Sequence, residues 1–314
     1  MGDDWILVGV DGTEGGDAAV RYAAREAAMT GSGVKLLHVA PELAYPVALD
    51  AGAETAPPGQ DRRERVLVDA AAAVRAILGD APADRVVTMV EFGGRTEHIL
   101  EASRGCRLVV LGDRHRPLLG RLATGSVHGG VVSRAQVPVV VVPASTGSAP
   151  LQGRMIAAVK SADEWRDHVG RAMGIAKDHG ARLVLLHAWD VPVMYDDLVA
   201  TRALETERRA QHELRDLRAG RDKKYVDLPV EIKVVRGQAA KAIVDASAKS
   251  DLVILTRRSI VAAIGHLGGT ARTVLRESRC PVLVLPPPGL PDFSIEERGE
   301  LLAAADGSID LDSD

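Results

Sequence analysis

Short apolar runs alternate with longer amphipathic stretches along most of the chain. In the first half, runs rich in Val, Leu and Ile predict five strands, near residues 5–10, 34–39, 85–91, 107–111 and 138–142. Between the first two runs, Val20, Ala23, Ala24 and Ala27 recur at helical spacing on one face. Short strands that alternate with helices indicate right-handed crossovers and a parallel sheet.

The same pattern occurs twice. Residues 6–13 (ILVGVDGT) match residues 155–162 (MIAAVKSA), an offset of 155 minus 6, or 149, and in the next run His38 falls on His187 at the same offset. Residues 90–103 match residues 234–247, an offset of 144, and the last apolar runs of the two halves also correspond. Several matches in the same order indicate an internal duplication.

The duplication predicts an α/β fold with two tandem Rossmann-like domains, each a five-stranded parallel sheet with helices on both faces. We expect the domains to span residues 1–145 and 152–287, with a linker between them over residues 143–153. The Pro-, Ala- and Gly-rich stretch over residues 41–60 predicts a mobile loop. Residues 288–314 are acidic and predict a disordered tail.

Charge and composition narrow the range of partners. The net charge is −4; the tail from Pro287 carries eight acidic residues and one basic residue, or −7, so the remaining body is −4 minus −7, or +3. A nearly balanced body favours neither nucleic acid nor an acidic membrane surface as a partner. The apolar run at the start is too short for a signal peptide, and no window reaches the length of a membrane span. Two distant cysteines suit a reducing compartment. We therefore expect a cytoplasmic protein.

Polar and glycine residues cluster directly after the predicted strands of the first copy. Asp11, Gly12 and Thr13 follow the first strand, and Gly112 to His115 follow the fourth. Gly125 and Ser126 precede a predicted helix, where free backbone N–H groups bind phosphate. Ligands of parallel α/β sheets bind beyond the carboxyl ends of the strands, so this edge is the candidate site.

On these residues the chain resembles the universal stress proteins, in a tandem form that extends from about Trp5 to Pro286. ATP-binding members of that family carry an aspartate after the first strand and the pattern G-x-x-G-x9-G-[ST] after the fourth. The resemblance implies that Asp11 contacts the ribose or its metal-bound surroundings and that the backbone of Val39 recognises adenine. It implies a phosphate cradle at Gly112, Gly125 and Ser126, and ATP, with or without Mg²⁺, as the ligand. The implied site comprises Val10, Asp11, Gly12, Thr13, Val39, Gly112, Asp113, Arg114, His115, Gly125, Ser126 and Val127.

One position departs from the family pattern, because its second glycine is His115 here. A histidine in a glycine-only backbone conformation costs roughly 1 kcal/mol or more. Outside that conformation its imidazole can contact a phosphate, with Arg114, Arg116 and Arg121 adding positive charge nearby.

The second copy lacks most of the pattern. Asp11 corresponds to Lys160, Gly112 to Thr256 and His115 to Ser259, and Gly269-Thr270 alone is kept. We expect a degenerate structural copy. The alternative is a site for a different anion, held by Lys160, Arg257 and Arg258.

Several reactive residue types are interpreted as structural. His38 and His187 lie in apolar strands and are expected to pack there, and Cys106 and Cys280 are expected to act as inert small hydrophobes. His128 and His266 have no helical partner at metal spacing, so no protein metal centre is expected.

The leading functional hypothesis is a stress-response module in which ATP occupancy changes docking with a regulatory protein partner. A ligand-free scaffold of the same fold is one alternative, and a slow nucleotide hydrolase is another, although no Walker lysine or adenylyl-transfer motif occurs. No dedicated enzyme is therefore expected. The last strand of each copy is short, apolar and β-branched, so we expect the two to pair within the chain; a homodimer is the intermolecular alternative.

Overall fold

A computed structural model gives the architecture of the chain. It describes residues 4–42, 60–79, 82–113, 127–146, 151–160, 165–189, 205, 208–209, 211–212, 225–257 and 267–287. Among the helices in these ranges, none has the length and apolar character needed to cross a membrane.

The chain divides into two compact units. Of the described residues, the first unit holds those up to Thr146, together with Arg257, Leu267 and the residues from Val284 onward. The second unit holds the residues from Leu151 to Thr256 and from Gly268 to Leu283.

The first unit alternates strands with helices, as the apolar runs predict. Its elements in chain order are β1 (Trp5–Gly9), α1 (Glu14–Thr30), β2 (Gly33–Ala40), α2 (Gln60–Leu78), a 3₁₀ turn (Ala83–Arg85), β3 (Val86–Phe92), α3 (Arg95–Ala102), β4 (Leu108–Asp113), α4 (Val127–Arg134) and β5 (Val139–Pro143). Helix α1 buries Val20, Ala23, Ala24 and Ala27, the face that the sequence predicts. It ends at Gly31, whose φ of 70° is the left-handed conformation that favours glycine.

The strands of the first unit are parallel and lie in the order β3-β2-β1-β4-β5. Successive residues of β5 are all buried, as are Ile6 to Val8 in β1, which is typical of a parallel sheet covered on both faces. After β1 the chain adds β2 on one side and later β4 on the other. The strand order therefore reverses between β1 and β4, and the position beyond their carboxyl ends is where open α/β sheets form a ligand-binding crevice.

The second copy of the sequence repeats this plan. Its elements are β6 (Arg154–Ala158), α5 (Trp165–Asp178), β7 (Arg182–Trp189), β8 (Val230–Arg236), α6 (Ala239–Ser247), β9 (Leu252–Thr256), α7 (Gly269–Glu277) and β10 (Val282–Leu285). The parallel order β8-β7-β6-β9 matches β3-β2-β1-β4, and β10 lies beside β9. Equivalent positions also share a register, since Leu37 pairs with Met89 and Leu186 with Lys233.

The structure confirms the predicted class, two tandem α/β domains with parallel sheets. The predicted loop lies outside the described residues except at its two ends, and so do the acidic tail and the middle of the linker. Pairing through the two last strands stays a prediction.

Candidate functional site

The segment after β1 forms a tight hydrogen-bonded turn at the crevice. Oδ1 of Asp11 accepts from the backbone N–H of Thr13 at 3.1 Å and from its hydroxyl at 2.6 Å. The hydroxyl oxygen of Thr13 in turn accepts from the Gly16 N–H at 3.2 Å and caps α1. Gly12 joins the two at a φ of 70°, a conformation that other residues rarely adopt. Asp11 and Thr13 therefore have a structural role as well as their predicted ligand role.

Gly112 lies against the first turn of α1. A Cβ built on Gly112 would be 2.0 Å from the carbonyl oxygen of Gly15, and one built on Gly15 would be 2.2 Å from the carbonyl oxygen of Asp113. Such distances leave no room for any side chain at either position. The glycine at 112 is thus required by the approach of helix to strand, a cause that differs from the phosphate cradle implied by the resemblance.

Val10 and Val39 are both buried where β1 and β2 end. The N–H of Val10 donates to the Leu37 carbonyl at 2.8 Å, and its own carbonyl accepts from Nδ1 of His38 at 2.8 Å. His187 makes the equivalent bond to the Val159 carbonyl at 3.0 Å. Both histidines are therefore structural, as the sequence predicts, and each fixes the backbone just before the first-strand turn.

Asp113 is the last residue of β4, and the next element along the chain, α4, begins at Val127. Oδ1 of Asp113 lies 3.8 Å from Nδ1 of His128, in the first turn of α4. This distance brings the N-terminus of α4 to the carboxyl end of β4. Backbone N–H groups at such a terminus attract anions.

Four of the predicted site residues, Arg114, His115, Gly125 and Ser126, lie outside the described residues. The structure brings the remaining eight to the ends of β1, β2 and β4 and the start of α4. It places Val10, Asp11, Gly12 and Thr13 after β1, Val39 in β2, Gly112 and Asp113 in β4, and Val127 in α4.

The second copy builds the equivalent of the Gly112 contact differently. The hydroxyl of Thr256 hydrogen bonds Nδ1 of His168, whose Nε2 donates to the carbonyl of Ala158 at 3.0 Å. Burial lowers the pKa of His168 to about 4, against the opposing effect of the Ala158 bond. The second copy thus has a side chain at position 256, whereas the corresponding position of the first copy, Gly112, has no room for one.

Arg257 corrects one of the alternatives for the second copy. Its side chain is buried, and Nη1 and Nη2 donate at 2.8 Å to the carbonyl oxygens of Val132 and Ala135 at the C-terminal end of α4. A guanidinium committed to these carbonyls is a helix cap and not an anion ligand. Lys160 is exposed, and Arg258 lies outside the described residues.

Both cysteines are buried free thiols. Burial raises the pKa of Cys106, and it raises the pKa of Cys280 to about 12. Such thiols are poor nucleophiles, in agreement with the inert role predicted for them. Within the described ranges no three His, Cys, Asp or Glu side chains group as a metal site requires.

Sequence reasoning missed Gly15, Gly16 and His128. A Cβ on Gly16 would lie 2.7 Å from Oδ1 of Asp11, so this glycine is needed where α1 meets the turn. The available signal was a glycine pair in the first turn of a helix, where each glycine costs about 1 kcal/mol relative to alanine. His128 had no comparable signal, because its partner Asp113 is distant in sequence.

Comparison with known proteins agrees with the duplication. The model of the universal stress protein family matches twice, over residues 4–143 and 153–286. A universal stress protein of Mycolicibacterium smegmatis is 27% identical over 296 residues, which cover 90% of this chain and 97% of the relative. One from Mycobacterium tuberculosis is 29% identical over 292 residues, with 89% and 95% covered.

A solved structure supports the fold. The crystal structure of a universal stress protein from Archaeoglobus fulgidus superposes with a TM-score of 0.59 at 20% identity, covering 90% of this chain and 96% of the other. Two family matches in one chain, and relatives matched along almost their whole length, agree with the repeated sheet order. The chain belongs to the universal stress protein family, as a member with two tandem domains.

Proposed function

We propose that the first copy binds ATP and that its occupancy regulates docking of the chain with a partner protein. The observation that carries this proposal is the 3.8 Å approach of His128 to Asp113, which brings the start of α4 to the crevice between β1 and β4. A helix N-terminus and the Asp11 turn then face the same position, where parallel α/β sheets bind nucleotides.

The residues present suit the parts of a nucleotide. Val39 lies at the end of β2, so its backbone is the expected contact for the adenine base, and the Asp11 carboxylate suits a ribose hydroxyl or a hydrated Mg²⁺. Val127 and the two residues before it supply N–H groups for phosphate oxygens. Two carboxylates, Asp11 and Asp113, favour a nucleotide that carries its cation.

We expect the second copy to lack this activity. Lys160 replaces Asp11, and the hydroxyl of Thr256 is bound to His168 at the position of Gly112. One ATP per chain follows from this difference.

A ligand-free scaffold is the second candidate, and it is favoured by the local roles of Asp11 and Gly112. Each residue is accounted for by contacts within the chain, namely the Thr13 turn and the Gly15 packing. A slow hydrolase has less support, because the sequence has neither a Walker lysine after a glycine-rich loop nor an adenylyl-transfer motif.

Calorimetry of ATP binding to the full chain separates these candidates. We expect one site, and we expect Asp11→Asn, which keeps an acceptor for Thr13 but removes the charge, to weaken ATP by roughly fivefold to tenfold. Lys160→Asn, at the matching position of the second copy, should leave affinity unchanged. Two equivalent sites would contradict the proposed difference between the two copies. No binding at millimolar ATP would favour the ligand-free scaffold. A turnover assay tests hydrolysis, and pull-downs with and without ATP test the regulated docking.

A further inference from the structure

A pocket of about 400 Å³ lies in the second unit, between the edge strand β8, the neighbouring strand β7 and helix α6. Five cationic side chains line it, and one carboxylate: Arg154, Lys233, Arg236, Lys241, Lys249 and Asp245. The lining therefore carries five positive charges and one negative charge, or +4. The Asp245 carboxylate is paired with Lys241 Nζ at 2.7 Å.

The first copy provides an internal comparison, since the equivalent strand, turn and helix have the same construction. Gly93 and Gly237 have φ values of 118° and 128°, and each N–H donates at 2.9 Å to the last residue of the neighbouring strand. At the offsets of 149 and 144, the six pocket residues correspond to Trp5, Met89, Phe92, Glu97, Gly105 and Glu101. The same positions thus carry two negative charges in the first copy, against +4 in the second. The positive charge is a property of the second copy and not of the fold.

The first turn of the helix beside the pocket is also less negative in the second copy than in the first. In the first copy Glu97 folds back over the first turn of α3: its Oε2 would be 2.5 Å from a Cβ on Gly94, and a hydrogen bond from its own backbone N–H lowers its pKa. The chain there supplies its own anion to the helix N-terminus. In α6 the equivalent residue is Lys241, the first turn has no acidic residue, and Gln238 makes no side-chain capping bond. The first turn of α6 therefore has no acidic side chain of its own, unlike that of α3.

We propose that this pocket binds a small molecule with several phosphate groups, at a site separate from the nucleotide crevice of the first copy. Lysine and arginine side chains that converge from two strands and a helix suit an anion with several charged groups. A volume near 400 Å³ is in the range of small-ligand pockets, which favours a compact polyphosphate over a polymer. We expect Lys233 and Arg236 to contact the phosphates, together with backbone N–H groups of the first turn of α6.

Calorimetry of the full chain with sodium tripolyphosphate tests the site, because this probe has neither base nor ribose. The diagnostic variant is Lys233→Met/Lys241→Glu, which installs the residues that the first copy carries at these positions. We expect its affinity to be at least about tenfold weaker, since two cations are lost and a carboxylate is added. The control Arg25→Glu/Arg75→Met changes the net charge equally at two exposed positions of the first unit, and its affinity should stay within about twofold of the parent.

Lysine acylation followed by mass spectrometry locates the bound probe. Tripolyphosphate should protect Lys233 and Lys241 while leaving the exposed Lys177 reactive. Equal affinities of the diagnostic and control variants, or no protection of these lysines, would overturn the site. Failure of the nucleotide proposal gives a different result: ATP binding would then be insensitive to Asp11→Asn, whatever tripolyphosphate does. If RNA or anionic vesicles bind as tightly as tripolyphosphate, with the same dependence on Lys233 and Lys241, the small-molecule proposal is wrong. The pocket would then be part of a surface that binds large polyanions.

Discussion

Nδ1 of His38 donates a hydrogen bond of 2.8 Å to the carbonyl oxygen of Val10, the residue directly before Asp11. The bond joins β2 to the turn that follows β1. The second copy repeats it between His187 and Val159 at 3.0 Å, although Lys160 replaces the aspartate there. The contact is therefore part of the fold, and the carboxylate beside it is what distinguishes the first copy.

This relationship predicts different results for the two histidines. His38→Ala removes the donor to Val10 and should lower the free energy of unfolding by about 1 kcal/mol. Because the turn at Asp11 loses its support, ATP affinity should also fall. His187→Ala should cost similar stability and leave ATP binding intact. Urea denaturation and calorimetry measure the two effects, and equal losses of ATP affinity in both variants would argue against a nucleotide site confined to the first copy.

The approach of Gly15 to Gly112 predicts that neither position accepts alanine. Gly112→Ala puts a methyl group 2.0 Å from a backbone oxygen, so strand and helix must separate, at a cost of about 1–3 kcal/mol. Gly174→Ala is the matched control, because its added Cβ would meet the Tyr225 hydroxyl oxygen at 3.6 Å, an ordinary contact. That change should be neutral or stabilising by up to about 1 kcal/mol. Thermal denaturation distinguishes the two, and a Gly112→Ala protein as stable as the parent would contradict this packing.

The buried His168 predicts a loss of stability in acid. Burial lowers its pKa from the ordinary value of 6.5 to about 4 in the folded chain. Below pH 6.5 this histidine is protonated in the unfolded chain, whereas in the folded chain it stays neutral until the pH nears 4. The contribution of the neutral His168 to the free energy of unfolding is therefore complete above pH 6.5, and it is lost as the pH falls towards 4.

Denaturation of the parent and of His168→Gln between pH 7 and 4 measures this contribution. Carboxylates titrate in both proteins, so the difference between the two curves isolates the histidine. We expect the variant to lose less stability than the parent over this interval. His179→Gln, the same change at a half-exposed position, should follow the parent curve. Parallel curves for parent and His168→Gln would show that this imidazole accepts a proton in the folded state.

The sequence pattern around α4 predicts unequal effects of two neighbouring changes. Gly125→Val introduces a β-branched side chain where the backbone is expected to meet phosphate, so it should abolish ATP binding. Ser126→Ala removes one hydroxyl, a loss of roughly 0.5–1.5 kcal/mol. ATP titrations of the two variants measure the difference, and equal or reversed losses would mean that the phosphates bind elsewhere.

The sequence by itself determined the elements and their repetition. Runs such as residues 107–111 are apolar without alternation, and that pattern is typical of strands buried on both faces of a parallel sheet. The small-residue face of α1 has the helical period, and the matched order of runs in the two halves requires two copies of one fold. These signals are local or repeated, so they can be read without knowing which strands are neighbours.

Only the tertiary structure decided why particular residues stand at the ends of those strands. Gly112 is a glycine because Gly15, distant in sequence, passes against it, and Arg257 caps α4 although its position after β9 suggested an anion ligand. The charge of the α6 pocket likewise appears only when β6, β8 and α6 bring their cations together. Hydrophobic periodicity records which face of an element is buried. It carries no information about which atoms meet across the fold, since close approaches and convergent charges arise from pairings that chain order alone does not fix.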